Sequence, residues 1–376
     1  MAKLIDFIFI ILFLHKVPTS CQGHHLRHRR PGNRAALFIF GDSVLDPGNN
    51  NYINTSTLDQ ANFWPYGITY FHRPTGRFSD GRLVSDFIAE YAKLPLIPPF
   101  LQPGNCQFYD GANFASAGAG ALVETFPGQV VNLGTQLKYF KKAEKVLRGE
   151  MGDGAAKTIL SDAVYLVSIG NNDYISPFLT NSSPPLLSYS KSQFVAMVIG
   201  NLTTVVKEIY KSGGRKFGFL NVGPLGCLPG LRILKPHNNK GGCLASETSK
   251  LGKLHNEVLS KLLPKLHHQF QGFKYSLLDV HSGLLERMNN PSKYGLKEGK
   301  SACCGSGQFG GVFSCGGRRP VKKFHLCGDV NKHLFWDSYH LTERVYRQLA
   351  DQMWSGKQKA NPNDMPGFYN LEELFR

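Results

Sequence analysis

The chain has 376 residues, 42% hydrophobic and 19% charged, enough apolar material for a substantial core and too much for wholesale disorder. Its 40 glycines and 21 prolines follow no triplet period, which excludes a collagen-like chain. A formal charge of +16 suits an anionic partner, but charge speaks to association rather than to fold.

Residues 1–21 read as a secretory signal: a basic start at Lys3, an apolar run from Phe7 to Leu14, and small residues through Pro18-Thr19-Ser20-Cys21. A membrane span needs about 20 apolar residues, and this run is far shorter. No later stretch is long and apolar enough, so an exported chain without stable membrane insertion is expected. Residues 22–34 carry His24-His25-Leu26-Arg27-His28-Arg29-Arg30, a solvated basic arm. No aromatics interleave these charges, which argues against a nucleic-acid groove.

Export makes Asn54, Asn181 and Asn201, each heading an N-x-S/T sequon, candidate glycosylation sites. It also makes disulfides the expected state of the eight cysteines. The run Cys303, Cys304, Cys315 and Cys327 has zinc as its alternative, yet adjacent cysteines are awkward tetrahedral ligands. Removing Cys21 with the signal leaves an odd number of thiols, and Cys106 is the one expected to stay unpaired.

Ala35–Phe40, Ala163–Ile169, Phe217–Val222 and Tyr275–Val280 are short continuous apolar runs, the pattern of strands buried on both faces. Helical periodicity separates them: Leu137, Phe140, Val146 and Leu147; Phe194 to Tyr210; and Leu254, Val258, Leu262 and Leu266. This alternation predicts a three-layer α/β/α sandwich with a mainly parallel sheet, its crevice beyond the carboxyl ends of the strands. With no repeat and no linker, 35–376 reads as one domain carrying a Cys- and Gly-rich, largely irregular insertion at about 290–332.

The candidate chemistry falls at those strand ends. Ser43 follows the first run, where its hydroxyl would face the crevice and its N–H could bind an oxyanion, although a capping serine looks the same locally. A serine nucleophile needs a base and a group that orients the base. Asp337 and His340, three residues apart, offer both, and a surface ion pair offers the same spacing. The small-residue loop Gly111–Gly120 and the segment Ser168–Asp173 could supply oxyanion donors, or be plain turns. The G-x-S-x-G elbow of ordinary α/β-hydrolases is absent from the sequence.

Together these segments resemble the plant GDSL esterase/lipase family of SGNH hydrolases. The shared wording is Gly41-Asp42-Ser43-Val44-Leu45-Asp46-Pro47-Gly48-Asn49-Asn50-Asn51, Gly76-Arg77-Phe78-Ser79-Asp80-Gly81-Arg82, Asn113-Phe114-Ala115-Ser116, Gly170-Asn171-Asn172-Asp173-Tyr174 and Asn221-Val222-Gly223-Pro224-Leu225-Gly226-Cys227. The resemblance implies a flavodoxin-like hydrolase with Ser43 as nucleophile, His340 as base and Asp337 as its partner. It implies oxyanion donors at the N–H groups of Ser43 and Gly118 and the side chain of Asn172. Val44 stands where the family has Leu, and Leu341 where it usually has Pro, a change expected to loosen the His340 loop.

The leading expectation is thus a secreted esterase that cleaves acyl esters through an acyl-enzyme, without metal or cofactor, and whose charge could adsorb it to acidic cell-wall polymers. A carbohydrate acetyl esterase or an acyltransferase would use the same triad. A non-catalytic secreted binder of acidic polymers is the alternative from another class.

Overall fold

Five residues buried on both faces, Leu37–Gly41, form β1, the strand that delivers Ser43. Phe38 and Phe40 pack against Phe114, Phe140 and Tyr165, so β1 is fixed by aromatic contacts as well as by its ladder. In the computed structural model, which describes residues 34–179, 188–234, 243, 247–356 and 366–376, four more strands join it. They are β2 (Gly111–Asn113), β3 (Val164–Ser168), β4 (Lys216–Leu220) and β5 (Lys274–Leu278), in the order β2-β1-β3-β4-β5 and parallel throughout. The order reverses beside β1, the switch point at which open α/β sheets form their crevice.

The helices are α1 (Val84–Tyr91), α2 (Leu133–Met151), α3 (Asp153–Asp162), α4 (Asn171–Leu179), α5 (Lys191–Lys211), α6 (Pro229–Arg232), α7 (Glu247–Gln269), α8 (Val280–Asn289), α9 (Glu343–Ser355) and α10 (Leu371–Phe375). One layer is made by α2, α5 and α7 packed in sequence, the other by α1, α9 and α10. The three-layer α/β/α sandwich expected from the alternation is what forms. Among the described residues no helix is long and apolar enough to cross a membrane.

The end of β1 is clamped. Gln136, fully buried on α2, accepts the Gly41 N–H on Oε1 at 2.8 Å and donates Nε2 to the carbonyls of Gly41 and Val131, both at 2.8 Å. Gly41 itself is required, because its φ is +155° and a Cβ would lie 2.4 Å from the Ser168 carbonyl oxygen. Beyond it, the carboxylate of Asp46 accepts the N–H groups of Gly48, Asn49 and Ala117 at 2.6–2.9 Å. Asn49 Nδ2 donates to the carbonyls of Asn113 and Ala115, and Asn113 Nδ2 to that of Leu45. The Ser43 turn and the loop after β2 are therefore one buried hydrogen-bonded unit.

Residues 290–332 contain only short pieces: β6 (Glu298–Ala302), β7 (Cys304–Gly305) and β8 (His325–Leu326) with single 3₁₀ turns. Next, β9 (His333–Phe335) pairs with β6, while β7 pairs with β8. Disulfides Cys303–Cys327 and Cys304–Cys315 staple this segment, and Cys227–Cys243 closes another loop. Sulfur and nitrogen atoms of Cys303, Cys327 and His333 approach within 4.8 Å, but the first two are bonded to each other and so are not thiolate ligands. Cys106 is also disulfide-bonded, which corrects the expectation that it is unpaired. That expectation discarded Cys21 with the signal, and an odd count says nothing about which thiol is left over. The signal, the basic arm and Asn181 lie outside the described residues.

Gln136→Ala would strand the buried Gly41 N–H and remove two further bonds. At about 1–3 kcal/mol for each stranded buried group, a loss of roughly 2–4 kcal/mol is expected in urea unfolding. An unchanged midpoint would show that the clamp contributes nothing.

Candidate active site

The strand-end turn presents Ser43 to His340, a residue 297 positions further along the chain, with Oγ 2.8 Å from Nε2. His340 Nδ1 lies 2.8 Å from Asp337 Oδ1 and 3.0 Å from Oδ2. An ionised carboxylate only accepts, so Nδ1 carries the proton and Nε2 is left to accept the serine O–H. The structure thus brings the three sequence-selected residues into contact in the order that nucleophilic chemistry requires.

Asp337 is fully buried, and four donors make that tolerable. Besides His340 Nδ1, it accepts the backbone N–H groups of Tyr339 and His340 at 2.9 Å and the Tyr66 hydroxyl at 2.6 Å. Burial alone would raise its carboxyl. The His340 charge and the bonds from His340 and Tyr66 instead hold it below the ordinary value. Tyr66 in turn accepts Arg319 Nη2 at 3.3 Å. Arg319, fully buried, also donates to the carbonyls of Leu58 and Gln60 and lies over Phe313 at 3.6 Å.

Two neighbours fix the imidazole and the turn. The Phe78 ring tilts against His340 at 4.5 Å between centroids. It is carried by Gly76–Arg82, which a buried pairing of Arg77 to both oxygens of Asp86 holds at 2.8 Å. Asp42, beside Ser43, accepts Val44 N–H and Asn171 Nδ2 at 3.1 Å. Burial nevertheless pushes its carboxyl above the usual range.

Ser43, Gly118, Asn172 and His340 line one cavity of about 680 Å³. Among the described residues, neither the Ser43 nor the Gly118 N–H is spent on an internal bond, so both are available to an oxyanion. Asn172 Nδ2 donates to the Ala119 carbonyl at 2.9 Å, which ties its amide to the Gly118 loop and leaves its second N–H. Gly118 has φ +79°, and a Cβ there would meet Asp59 Oδ1 at 2.7 Å.

The His340 loop is pinned on both sides: Trp336 N–H donates to the His340 carbonyl at 2.8 Å, Thr342 N–H to the Leu334 carbonyl at 3.1 Å, and Leu341 bridges Phe335. The expected loosening at Leu341 therefore finds no support, since flanking ladder bonds restrain the backbone that proline would have restrained. Its side chain lines the cavity instead. Of the sequons, Asn54 is exposed, while Asn201 sits on α5 with its amide nitrogen bonded to the Ala121 carbonyl at 3.0 Å. Sequence reasoning did not single out Tyr66, Arg319, Phe78 or Gln136. Each acts on a residue distant in the chain, and only Phe78 lay inside a recognisable motif.

Comparison with known proteins agrees with this architecture. The family description "GDSL-like Lipase/Acylhydrolase" matches residues 37–353. "GDSL esterase/lipase 5" of Arabidopsis thaliana is 58% identical, over 93% of this chain and 90% of its own length. "GDSL lipase" of Tanacetum cinerariifolium is 47% identical, over 99% and 94%. A more distant relative, 34% identical over 90% of this chain and 74% of its own length, is the "Inactive GDSL esterase/lipase-like protein 25" of Arabidopsis thaliana, so kinship alone does not guarantee activity. From the matched length and these identities, the chain belongs to the GDSL lipase/acylhydrolase family.

Proposed function

We propose that this protein is an exported serine esterase that cleaves acyl esters through an acyl-enzyme. The observation that carries the reading is the unbroken contact chain Ser43–His340–Asp337 opening on a cavity with mainly apolar walls. Ser43 Oγ attacks the ester carbonyl carbon as His340 Nε2 takes its proton. The oxyanion is received by the N–H groups of Ser43 and Gly118 and the Asn172 amide. Collapse breaks the bond to the alcohol oxygen, which leaves with the proton from Nε2. Water then repeats the sequence on the acyl-serine and restores the free hydroxyl. Asp337 keeps the imidazole in the receiving tautomer and stabilises the imidazolium while it carries the extra proton.

The cavity wall favours lipid-like acyl esters over acetylated sugars, because Ile175, Leu225, Leu228, Val280 and Leu284 offer no sugar hydroxyl a partner. Export is supported by the signal-like start and by disulfides within the fold.

Hydrolysis of p-nitrophenyl esters from acetate to palmitate tests the reading. Ser43→Ala is expected to lower turnover by about 10⁴-fold or more with the fold intact, and Asn172→Ala by roughly 10²- to 10³-fold. Full activity in either variant would refute its assigned role. Tyr66→Phe removes one charged hydrogen bond to Asp337, worth about 1.5–3 kcal/mol. A loss of kcat of roughly ten- to a hundredfold is expected, with KM little changed. A rise in KM alone would mean that Tyr66 shapes the pocket rather than the dyad.

A further inference from the structure

The cavity has two ends that differ in burial. At the rim, Leu58, Leu179 and Val321 are 43%, 40% and 44% exposed. At the other end, Leu220, Leu284, Leu341, Tyr346 and Leu349 line the same space with 6% exposure or less. The sheet register says where that end lies. Gly41, Ser168 and Leu220 form one row across the carboxyl ends of β1, β3 and β4, with Ser43 just beyond the first. The buried set therefore extends from the nucleophile toward β4, α8 and α9, away from the rim loops.

Apolar side chains also make up most of the wall at the inner end. Of the polar groups that reach it, the Asp42 oxygens are bonded to Val44 and Asn171, the Tyr346 hydroxyl accepts the Leu341 N–H at 3.5 Å, and Ser168 adds one hydroxyl at the end of β3. Among the described residues, none of the buried side-chain atoms lacking a partner belongs to the cavity wall. A polar group seated there would exchange its water for few partners, whereas a methylene chain would gain by burial.

Resting on the acyl-enzyme reading above, we propose that this inner end is the seat of a medium- to long-chain acyl group, and that Leu284, Leu341 and Leu349 set its permitted length. The alcohol half of the ester sits at the exposed rim. It must receive a proton from His340 Nε2 and depart to solvent, while the acyl half stays bonded to Ser43 and gains from remaining dry. Leu341, directly after the base, thereby joins the catalytic loop to chain-length selection.

The test is the ratio of kcat/KM for p-nitrophenyl palmitate to that for the acetate, measured in the full-length secreted protein. Each buried methylene is worth about fourfold in binding, so the wild-type ratio should rise well above unity. Leu284→Trp and Leu349→Trp, which fill the inner end from α8 and α9, should each lower that ratio by about tenfold or more. Leu349→Ala, which enlarges the space and tolerates folding better than an added ring, should move the optimum to a longer chain. Separately, palmitate added to folded Ser43→Ala protein should raise its Tm, and acetate should not. A flat chain-length profile in an active wild type, an unchanged ratio in folded tryptophan variants, or no Tm shift with palmitate would overturn the acyl seat while leaving the esterase reading standing. Absence of any Ser43-dependent hydrolysis would overturn both.

Discussion

A carboxylate sealed from solvent is the constraint on which the rest of this structure depends. Asp337 has no water to compensate its charge, and an isolated buried carboxylate would take up a proton and cease to hold the imidazole. It is kept ionised by His340, by two backbone N–H groups of its own turn and by Tyr66. The turn thus caps its own carboxylate, and among the described residues Tyr66 is the one donor that reaches it from elsewhere. Because Nδ1 is committed to Asp337, Nε2 is free to face Ser43, and that pairing closes the circuit between the first strand and the last large helix.

The disulfide-stapled segment takes on a role through the same carboxylate. Cys303 and Cys304 donate their N–H groups to the carbonyls of Phe335 and Trp336, the residues leading into Asp337. Arg319, within the same segment, reaches Tyr66, while its other bonds secure the loop at Leu58–Gln60. A stretch with little regular structure thereby supports both the Asp337–His340 turn and a cavity rim. The two disulfides add covalent ties to a small apolar cluster there, in which Cys303, Cys304 and Cys315 pack with Tyr66, Phe78 and Trp336.

Much of this was legible in the residues. The four long core strands announced themselves as unbroken apolar runs because both faces of a parallel sheet are covered. By contrast, β2 is Gly111-Ala112-Asn113, too short and too weakly apolar to register as a strand, although it carries the Gly118 loop. Asp337 and His340 could be paired from their spacing because they share a turn. Tyr66 and Arg319 could not, since their contacts span 271 and 253 positions and an arginine following Arg318 in an irregular stretch reads by default as solvent-facing. Gln136 was hidden for a similar reason, since an amide among helical residues gives no local sign that it caps a strand. The fate of Cys106 was misjudged because cysteine counting fixes parity and never partners.

The central claim is that Ser43 is the one activated serine, and covalent labelling tests it most directly. The folded protein would be treated with an alkyl fluorophosphonate, digested, and mapped by mass spectrometry. The account predicts a single phosphonyl adduct on the peptide containing Ser43, absent from folded Ser43→Ala and much slower to form in His340→Ala. An adduct on another serine, or one that persists in Ser43→Ala, would contradict it.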